Sequence, residues 1–350
     1  MNEKDMTEEK KTPEEKFQEL VKNAEDYIIK NAKDILVAHR NQEKFRELIE
    51  LFKQDEKDSI QQKIEEINLD DINCLKLINE KYQPQYSVNE IKKSEKIETI
   101  LLKRFCEELQ NQSGRTNAIK YFSYGKGQEN KIFKIVAKYY EGNKNNLKGM
   151  KWCDLYNSFG NSVIEREKPK DSIKACETCE NKNECKTKSF HNFGWREYSR
   201  GLIDALKYIS KLEIKKFKED ISIINNIDNV DNLKTRKDIL KKLEQMVHSL
   251  GSELVYDFFK ELCCENLIKP DVHIKYLYKE IIKGEKKNSY DIAEDIIRMC
   301  KESNYTPYYI DKILWLCCTG NFHEDGITIN AMTRENFILT YYSKLGKPKR

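Results

Sequence analysis

Apolar residues recur at the spacing of an α-helix through most of this chain, and they seldom alternate with polar residues as they do in a β-strand. Among the 350 residues only 13 are glycine and 6 are proline, so the signals that end helices and form tight turns are few. The sequence therefore predicts an all-α fold. A chain of this length can form one large domain or two ordinary ones, and breaks in the periodicity favour two helical subdomains.

Capping signals and these breaks suggest how the chain is divided. The first helix should begin after Thr12, because Thr12 can cap it, Pro13 suits the first helical position and Glu15 completes a capping box. Helical periodicity is then lost near residues 113–128 and again around the cysteine-rich stretch CETCENKNEC. We therefore expect a disordered N-terminus (1–12), an N-terminal helical region (13–149), a cysteine-bearing segment (150–192) and a second helical domain (193–350).

The overall charge does not by itself indicate a partner. The chain has 63 lysine and arginine residues and 59 aspartate and glutamate residues. The resulting net charge of +4 is too small to indicate a nucleic-acid-binding protein by itself. The N-terminus lacks the apolar core of a signal peptide, and we find no apolar run of about 18 residues that could cross a membrane. We therefore expect a cytoplasmic protein without membrane association, whose 11 cysteines are thiols or metal ligands rather than disulfides.

The last third of the chain carries the clearest amphipathic helices. The segments SELVYDFFKEL and VHIKYLYKEIIK each place their apolar residues on one face, and a further helix should begin at Thr306-Pro307, a cap followed by proline. The residues expected to point inward are Leu254, Val255, Phe258, Phe259, Leu262, Ile274, Leu277, Tyr278, Ile281, Ile282, Ile310, Ile313, Leu314 and Cys317. Cysteines in apolar helical patterns should also lie in the core: Cys74, Cys106, Cys263, Cys264, Cys300, Cys317 and Cys318.

Asp271 stands between an apolar run and an amphipathic helix. Pro270 precedes it and a helical pattern follows, so its carboxylate is well placed to accept hydrogen bonds as the N-cap. A capping aspartate stabilises a helix by about 1 kcal/mol and needs no further role. The segment before it, LEQMVHSLGSELVYDFFKELCCENLIKPDVH, predicts a helix, a tight turn, a buried helix and a short loop that ends at this capped aspartate.

This arrangement resembles the helix-hairpin-helix DNA glycosylase superfamily, which contains endonuclease III, the adenine glycosylases and the oxidised-guanine glycosylases. The family hairpin, L-P-G-hydrophobic-G, corresponds to residues 247–251, and its D-x-H element corresponds to Asp271-Val272-His273. The resemblance covers about residues 235–320. This chain departs from the pattern with His248 for the proline, Ser249 for the first glycine and Glu253 for the lysine of bifunctional members.

The resemblance implies a base-releasing enzyme whose catalytic carboxylate is Asp271. Breaking an N-glycosidic bond builds positive charge on the sugar, and a fixed carboxylate can stabilise that charge and orient or deprotonate the attacking water. Because Glu253 has no amine, the hairpin should form no Schiff base, and the enzyme should be monofunctional and leave an abasic site. Lys260 and Lys269 lie near in sequence and could supply an amine instead.

The resemblance also implies a DNA partner. Such hairpins aim backbone amides at a DNA phosphate, and basic residues upstream can add phosphate contacts. His273 either contacts a neighbouring phosphate or is simply a satisfied histidine in the first turn of its helix. The expected DNA-binding residues are His248, Ser249, Gly251, Ser252, His273, Lys237 and Lys241.

The cysteine-bearing segment predicts a metal centre. Cys176-x2-Cys179-x5-Cys185 brings three thiols close enough to converge on one ion or cluster. The fourth ligand is either Cys153, which suits a [4Fe-4S] cluster or zinc, or His191, which favours zinc. The same spacings end the [4Fe-4S] loop of endonuclease III-like glycosylases, so the resemblance favours the cluster, although in that family the loop follows the catalytic aspartate.

Two other classes of protein fit the same residues. A non-catalytic, metal-stabilised helical protein that binds nucleic acid would explain Glu253 equally well. An iron-sulfur nuclease would explain the cysteines, but the sequence lacks the strand-borne acidic and lysine residues that such a nuclease needs.

Overall fold

The computed structural model describes residues 11–54, 73–111, 129–159, 193–227, 232–282 and 287–345. These residues are mostly helical, which confirms the all-α prediction. The strands described in them are one short antiparallel pair, β1 (Asn321–Phe322) and β2 (Ile327–Thr328), with Asn321 opposite Thr328. The chain forms two compact units, unit 1 (Met1–Gln83 and Pro270–Arg350) and unit 2 (Pro84–Lys269).

Unit 1 joins the two ends of the chain. Its helices are α1 (Pro13–Gln54), α2 (Cys74–Lys81), α11 (Val272–Leu277), which continues as a π-helical turn (Tyr278–Ile282), α12 (Ser289–Glu302), α13 (Pro307–Thr319) and α14 (Arg334–Lys344). A 3-10 turn (His323–Asp325) lies between the two strands. Helix α1 packs against α2, α12, α13, α14 and the π-helical turn, so the N-terminal helix forms much of the core of this unit.

The caps of unit 1 follow from the sequence. The Thr12 backbone N–H donates to Glu15 Oε2 at 2.7 Å, and the Glu15 N–H donates back to Thr12 Oγ1 at 3.2 Å, which is the predicted capping box. Thr306 caps α13, and Pro307 occupies its first turn as predicted. The face of α1 that points inward carries Phe17, Leu20, Val21, Ala24 and Ile28, all buried.

The described residues of unit 2 form eight α-helices: α3 (Val88–Lys93), α4 (Ile97–Glu108), α5 (Glu129–Asn143), α6 (Trp152–Phe159), α7 (Phe193–Ser210), α8 (Ile214–Asn225), α9 (Asn232–Met246) and α10 (Ser252–Leu262). They also form two 3-10 turns (Leu109–Asn111 and Leu147–Gly149). Helix α4 packs against α5, α7 and α10, and α9 packs against α7, α8 and α10. The Phe105 and Phe258 rings, whose centroids lie 4.4 Å apart, join α4 to α10 in the core.

The predicted core residues are confirmed. All fourteen inward positions of the last-third helices are buried, and so are all seven cysteines assigned to the core. Within the described part of the chain, every helix is either too short or too polar to span a bilayer.

The two units divide the chain differently from the predicted domains. The observed boundaries fall at 83/84 and 269/270, whereas the expected ones fell at 149/150 and 192/193. Contacts of α1 with α13 and α14 create unit 1, and these helices are separated by more than 250 residues, so no local break in periodicity could indicate it. The predicted disorder of residues 1–12 lies outside the described residues except at residues 11 and 12, and the predicted break at residues 113–128 lies wholly outside them.

Candidate functional site

Asp271 caps helix α11. Its Oδ1 accepts hydrogen bonds from the backbone N–H groups of His273 at 2.8 Å and Ile274 at 2.9 Å. Both capping bonds end on the same oxygen, so the cap leaves Oδ2 for other contacts. The side chain is partly exposed, and its neighbour Val272 is 61% exposed, so this helix start faces solvent within unit 1. The predicted N-cap is confirmed, and it presents a fixed, accessible carboxylate.

His273 lies on the first turn of the same helix and is half-buried. Burial lowers the pKa of its imidazole, Arg334 lowers it further, and Asp271 opposes both. Its Nδ1 is buried and has no hydrogen-bond partner in the described structure. A histidine with a lowered pKa is mostly neutral at pH 7, so His273 is poorly suited to the cationic phosphate contact that was one expectation.

Arg334 is a neighbour of this site that the sequence did not reveal. It begins α14, and its guanidinium lies 4.4 Å from the centroid of the Tyr276 ring on α11. Its positive charge further lowers the pKa of His273 and partly offsets the rise that burial causes in the pKa of Cys318, so Arg334 lies close to the Asp271 helix start. Arg334 is 63 residues beyond Asp271, and only the packing of α14 brings it here.

The turn that corresponds to the family hairpin lies in unit 2, between α9 and α10. Ser249 has a φ of 68°, in the left-handed region that favours glycine, whereas Gly251 has a φ of −70° and caps α10. Leu250 is buried, and Gly251 is exposed with open space around it. The strained position is thus the one at which the family pattern has its first glycine.

His248 is engaged by acidic residues of helix α7. Its Nε2 lies 2.6 Å from Glu197 Oε2, and its backbone N–H donates to Asp204 Oδ2 at 3.2 Å. Helix α7 approaches closely at Gly201, where an added Cβ would lie 2.8 Å from the His248 carbonyl oxygen. Two carboxylates beside the turn disfavour a phosphate at the same place, and the expected phosphate contact of His248 stays a prediction.

The remaining hairpin residues and basic residues also belong to unit 2. Ser252 and Glu253 lie in the first turn of α10, both partly buried. On α9, Lys237 is partly buried and Lys241 is exposed, so Lys241 is available to solvent. Arg236, from the same basic run, is only 3% exposed and belongs to the core.

Neither nearby lysine fits the role of an amine nucleophile. Lys260 is 2% exposed, and its ammonium lies 3.0 Å from Asp257 and 3.1 Å from Glu261. Lys269 donates to Asp257 Oδ2 at 2.7 Å. Burial opposes the charge on Lys269, but Asp257 and Glu108 outweigh it and raise the pKa of this ammonium. A protonated amine cannot attack a sugar carbon, so both lysines act here as structural cations.

These lysines belong to a buried ionic cluster, which we define as Arg104, Glu107, Glu108, Asp257, Lys260, Glu261 and Lys269. Arg104 contacts Glu108 directly, and the Glu108 side chain is fully buried. Burial, reinforced by Asp257, raises the pKa of Glu108 to about 8. Burial of this kind also keeps DNA away, so Glu108 cannot be the group that meets a substrate.

The predicted metal ligands lie almost entirely outside the described residues. This holds for Cys176, Cys179, Cys185 and the alternative ligand His191. Cys153 is described, in the first turn of α6, and it is half-buried. The other seven described cysteines are buried, so Cys153 is the described thiol that could most readily reach a ligand set outside its own helix.

The geometry thus separates the predicted site into two parts. Asp271 and His273 belong to unit 1, and the hairpin with Glu253 belongs to unit 2. Chemically, the first part offers a fixed, partly exposed carboxylate, and the second offers a tight turn with a left-handed serine. Comparison of the chain with models of known families, with curated proteins and with solved structures found no match.

Proposed function

We propose that this protein is a DNA glycosylase that removes a damaged or modified base by hydrolysing the N-glycosidic bond, and that it is monofunctional. The observation that carries this proposal is the Asp271 cap. Two backbone amides fix one carboxylate oxygen at 2.8 and 2.9 Å, while the other oxygen is left free of the cap. A carboxylate held in this way can face a developing sugar cation without first reorganising.

The turn at residues 247–251 supports the same proposal. Its left-handed residue, Ser249, stands where the family hairpin has its first glycine, which fits a shared backbone path despite the different side chain. We propose that the amides of Gly251 and Ser252 contact a DNA phosphate, as in a helix-hairpin-helix motif. Glu197 and Asp204 hold His248, which disfavours a phosphate contact of its own.

The protonation of the two lysines nearest in sequence supports a hydrolytic rather than a lyase mechanism. The position of the family lysine is Glu253, and Lys260 and Lys269 are held as cations by Asp257. Without a free amine, the sugar cation is captured by water, and the product is an intact strand with an abasic site. Asp271 would orient that water or accept its proton.

A metal centre at Cys176, Cys179 and Cys185, completed by Cys153, is part of the proposal. Four thiolates suit a [4Fe-4S] cluster, or zinc as the alternative. The partial exposure of Cys153 fits this role. Thiolate–iron charge transfer gives broad absorbance at about 400 nm, so this absorbance would indicate the cluster. Stoichiometric zinc in a colourless protein would indicate the alternative.

The function is tested by incubating the purified protein with a panel of duplexes that carry damaged or modified bases. The wild type should leave abasic sites that break on alkali treatment, with little direct nicking. Asp271→Asn and Asp271→Ser should release base at least about a hundredfold more slowly than the wild type, because both side chains cap a helix and neither is a carboxylate. Asp26→Asn is the matched control, since Asp26 is an exposed carboxylate of the same unit that pairs with Lys344.

DNA binding is measured on the same duplexes. Affinity should fall steeply as salt rises, and the double variant Lys237→Gln, Lys241→Gln should flatten the slope by up to about 2, one for each lost phosphate contact. Salt-dependent binding without base release from any substrate would instead favour a non-catalytic nucleic-acid-binding protein. An affinity that does not change with salt would contradict the DNA partner itself.

A further inference from the structure

Three metal-ligating side chains from distant parts of the chain meet in unit 1. His39 and Glu43 lie one helical turn apart on α1, and Asp325 ends the 3-10 turn between the two short strands. Their ligand atoms all lie within 4.8 Å of one another. Residues four apart on a helix present their side chains to the same side, so His39 and Glu43 can share one ligand.

The imidazole of His39 points an unsatisfied nitrogen into this cluster. Its Nδ1 is buried and has no hydrogen-bond partner in the described part of the chain, and it lies 3.9 Å from Glu43 Oε1. A buried polar atom without a partner destabilises the fold, because the water it has lost is not replaced. A bound cation between the nitrogen and the carboxylate would satisfy both.

Basic side chains lie close to the Glu43 and Asp325 carboxylates, but they contact only one of the two Glu43 oxygens, and the other faces His39. The Lys81 ammonium contacts Asp325 Oδ1 and lies 3.8 Å from Glu43 Oε2, and Arg40 lies 3.6 Å from the same Oε2. The Asp325 side chain is only 7% exposed. The two carboxylates therefore attract a cation to a partly buried position between them, and Glu43 Oε1 faces the unpaired nitrogen of His39 there.

We propose that His39 Nδ1, Glu43 Oε1 and the Asp325 carboxylate bind one divalent transition-metal ion, in competition with the Lys81 ammonium. One nitrogen and two carboxylate oxygens suit Mn²⁺, Fe²⁺ or Zn²⁺. Ligand atoms about 2.1 Å from a shared ion lie at most about 4.2 Å apart, so the 3.9 Å separation of His39 and Glu43 needs little adjustment. The ion would tie α1 to the segment between α13 and α14.

The test uses Mn²⁺, because Mn²⁺ favours oxygen and nitrogen ligands and discriminates against the thiolates of the cysteine-rich segment. The full-length protein, as purified, is titrated with Mn²⁺ while the free ion is followed by electron paramagnetic resonance. The wild type should bind one ion per chain. His39→Gln and Asp325→Asn should each weaken binding at least about tenfold, since even indirect partners of metal sites cost that much.

Two further variants separate a metal site from a plain ion-pair network. His323→Gln is the matched control, because His323 lies in the same 3-10 turn but pairs with Glu324, and its Mn²⁺ affinity should equal that of the wild type. Lys81→Met should bind Mn²⁺ more tightly than the wild type, because the competing ammonium is gone. In a structural network, the same change would only destabilise the fold.

Three results would overturn the proposal. The first is no binding by the wild type up to about 1 mM Mn²⁺, the weak end of carboxylate cation sites. The second is binding that His39→Gln and Asp325→Asn leave unchanged, although circular dichroism shows both variants to be folded. The third is binding in Lys81→Met alone, since the natural lysine would then close the site.

Discussion

The carboxylates of the ionic cluster in unit 2 and the Asp271 carboxylate in unit 1 are held in opposite ways. Asp257 lies between two ammonium groups, 3.0 Å from Lys260 and 2.7 Å from Lys269, and Glu108 is fully buried against Arg104. Asp271 is held by two backbone amides and is partly exposed. All three are fixed in place, but only Asp271 is both fixed and accessible.

This difference indicates which kind of fixed carboxylate could reach a substrate. A strongly shifted pKa in a cleft often marks a functional group, but structural ion pairs shift pKa values as well. Among the described residues, strong carboxylate shifts belong to the ionic cluster. Burial raises the pKa of Glu108 to about 8, whereas the pKa of Asp257 is lowered because the neighbouring lysines outweigh the burial that opposes its charge. Because the carboxylates of Glu108 and Asp257 are buried, their shifts concern stability, and the accessible Asp271 is the carboxylate that we propose for the chemistry.

Removing the central cation of the ionic cluster should have the largest effect on stability. Arg104→Met leaves Glu108 and Asp257 without their shared partner and should lower the free energy of unfolding by about 3–5 kcal/mol in urea titrations. Lys103→Met is the matched control on the same helix, because Lys103 is exposed and lies 3.7 Å from Glu107. The control should cost at most about 1 kcal/mol. Equal losses for the two variants would contradict a buried, coupled cluster.

Glu108 should make stability depend on pH in a particular direction. Its pKa is about 8 in the folded protein against an ordinary 4.5, so the folded state keeps a proton that the unfolded chain releases. The free energy of unfolding should therefore fall as pH rises from about 4.5 to about 8, by on the order of a few kcal/mol. Glu108→Gln should flatten this decline. If Glu108→Gln keeps the full decrease of unfolding free energy with pH, then Glu108 is ionised in the folded protein and the decrease comes from another group.

His273 should give a smaller dependence of the opposite sign. Its pKa is lowered from 6.5, chiefly by burial, so the unfolded chain takes up a proton that the folded protein resists. Stability should thus decrease as pH falls below about 6.5, and His273→Gln should remove part of that decrease. Titration of the ring by NMR should give a midpoint below about 6.5. A midpoint above that value would show that Asp271 dominates the imidazole.

The smallest effect on stability is expected at Asp271 itself. Asparagine caps helices about as well as aspartate, so Asp271→Asn should change the free energy of unfolding by less than about 0.5 kcal/mol, whereas Asp271→Ala should cost about 1 kcal/mol. Urea titrations of both variants beside the wild type measure this. If both variants lose the same free energy of unfolding, the charge of the Asp271 carboxylate stabilises the fold in addition to its capping hydrogen bonds.

The sequence predicted the features that depend on neighbours along the chain. The caps at Thr12, Asp271 and Thr306, the inward faces of the last helices and the core cysteines follow from spacing and local hydrogen bonding alone. Each of these is decided within a few residues, which explains why they are found as predicted.

The features that depend on packing could not be predicted in the same way. Glu197 and Asp204 reach His248 from about fifty residues upstream, and Arg334 reaches the Asp271 helix start from the C-terminal helix. No motif marks these partners, because charged residues make up 35% of the sequence and single acidic or basic residues carry no signal. The composition of unit 1 was missed for the same reason, since its two segments come from opposite ends of the sequence.

The central claim, that Asp271 acts on the substrate and does not merely cap a helix, is tested most directly by single-turnover base release on a duplex that the wild type cleaves. Asp271→Asn should retain the stability of the wild type and most of its DNA affinity, yet release base at least about a hundredfold more slowly, the scale on which one preorganised electrostatic group contributes. Asp26→Asn should match the wild type. Full activity in Asp271→Asn would contradict the claim and leave Asp271 as a helix cap alone.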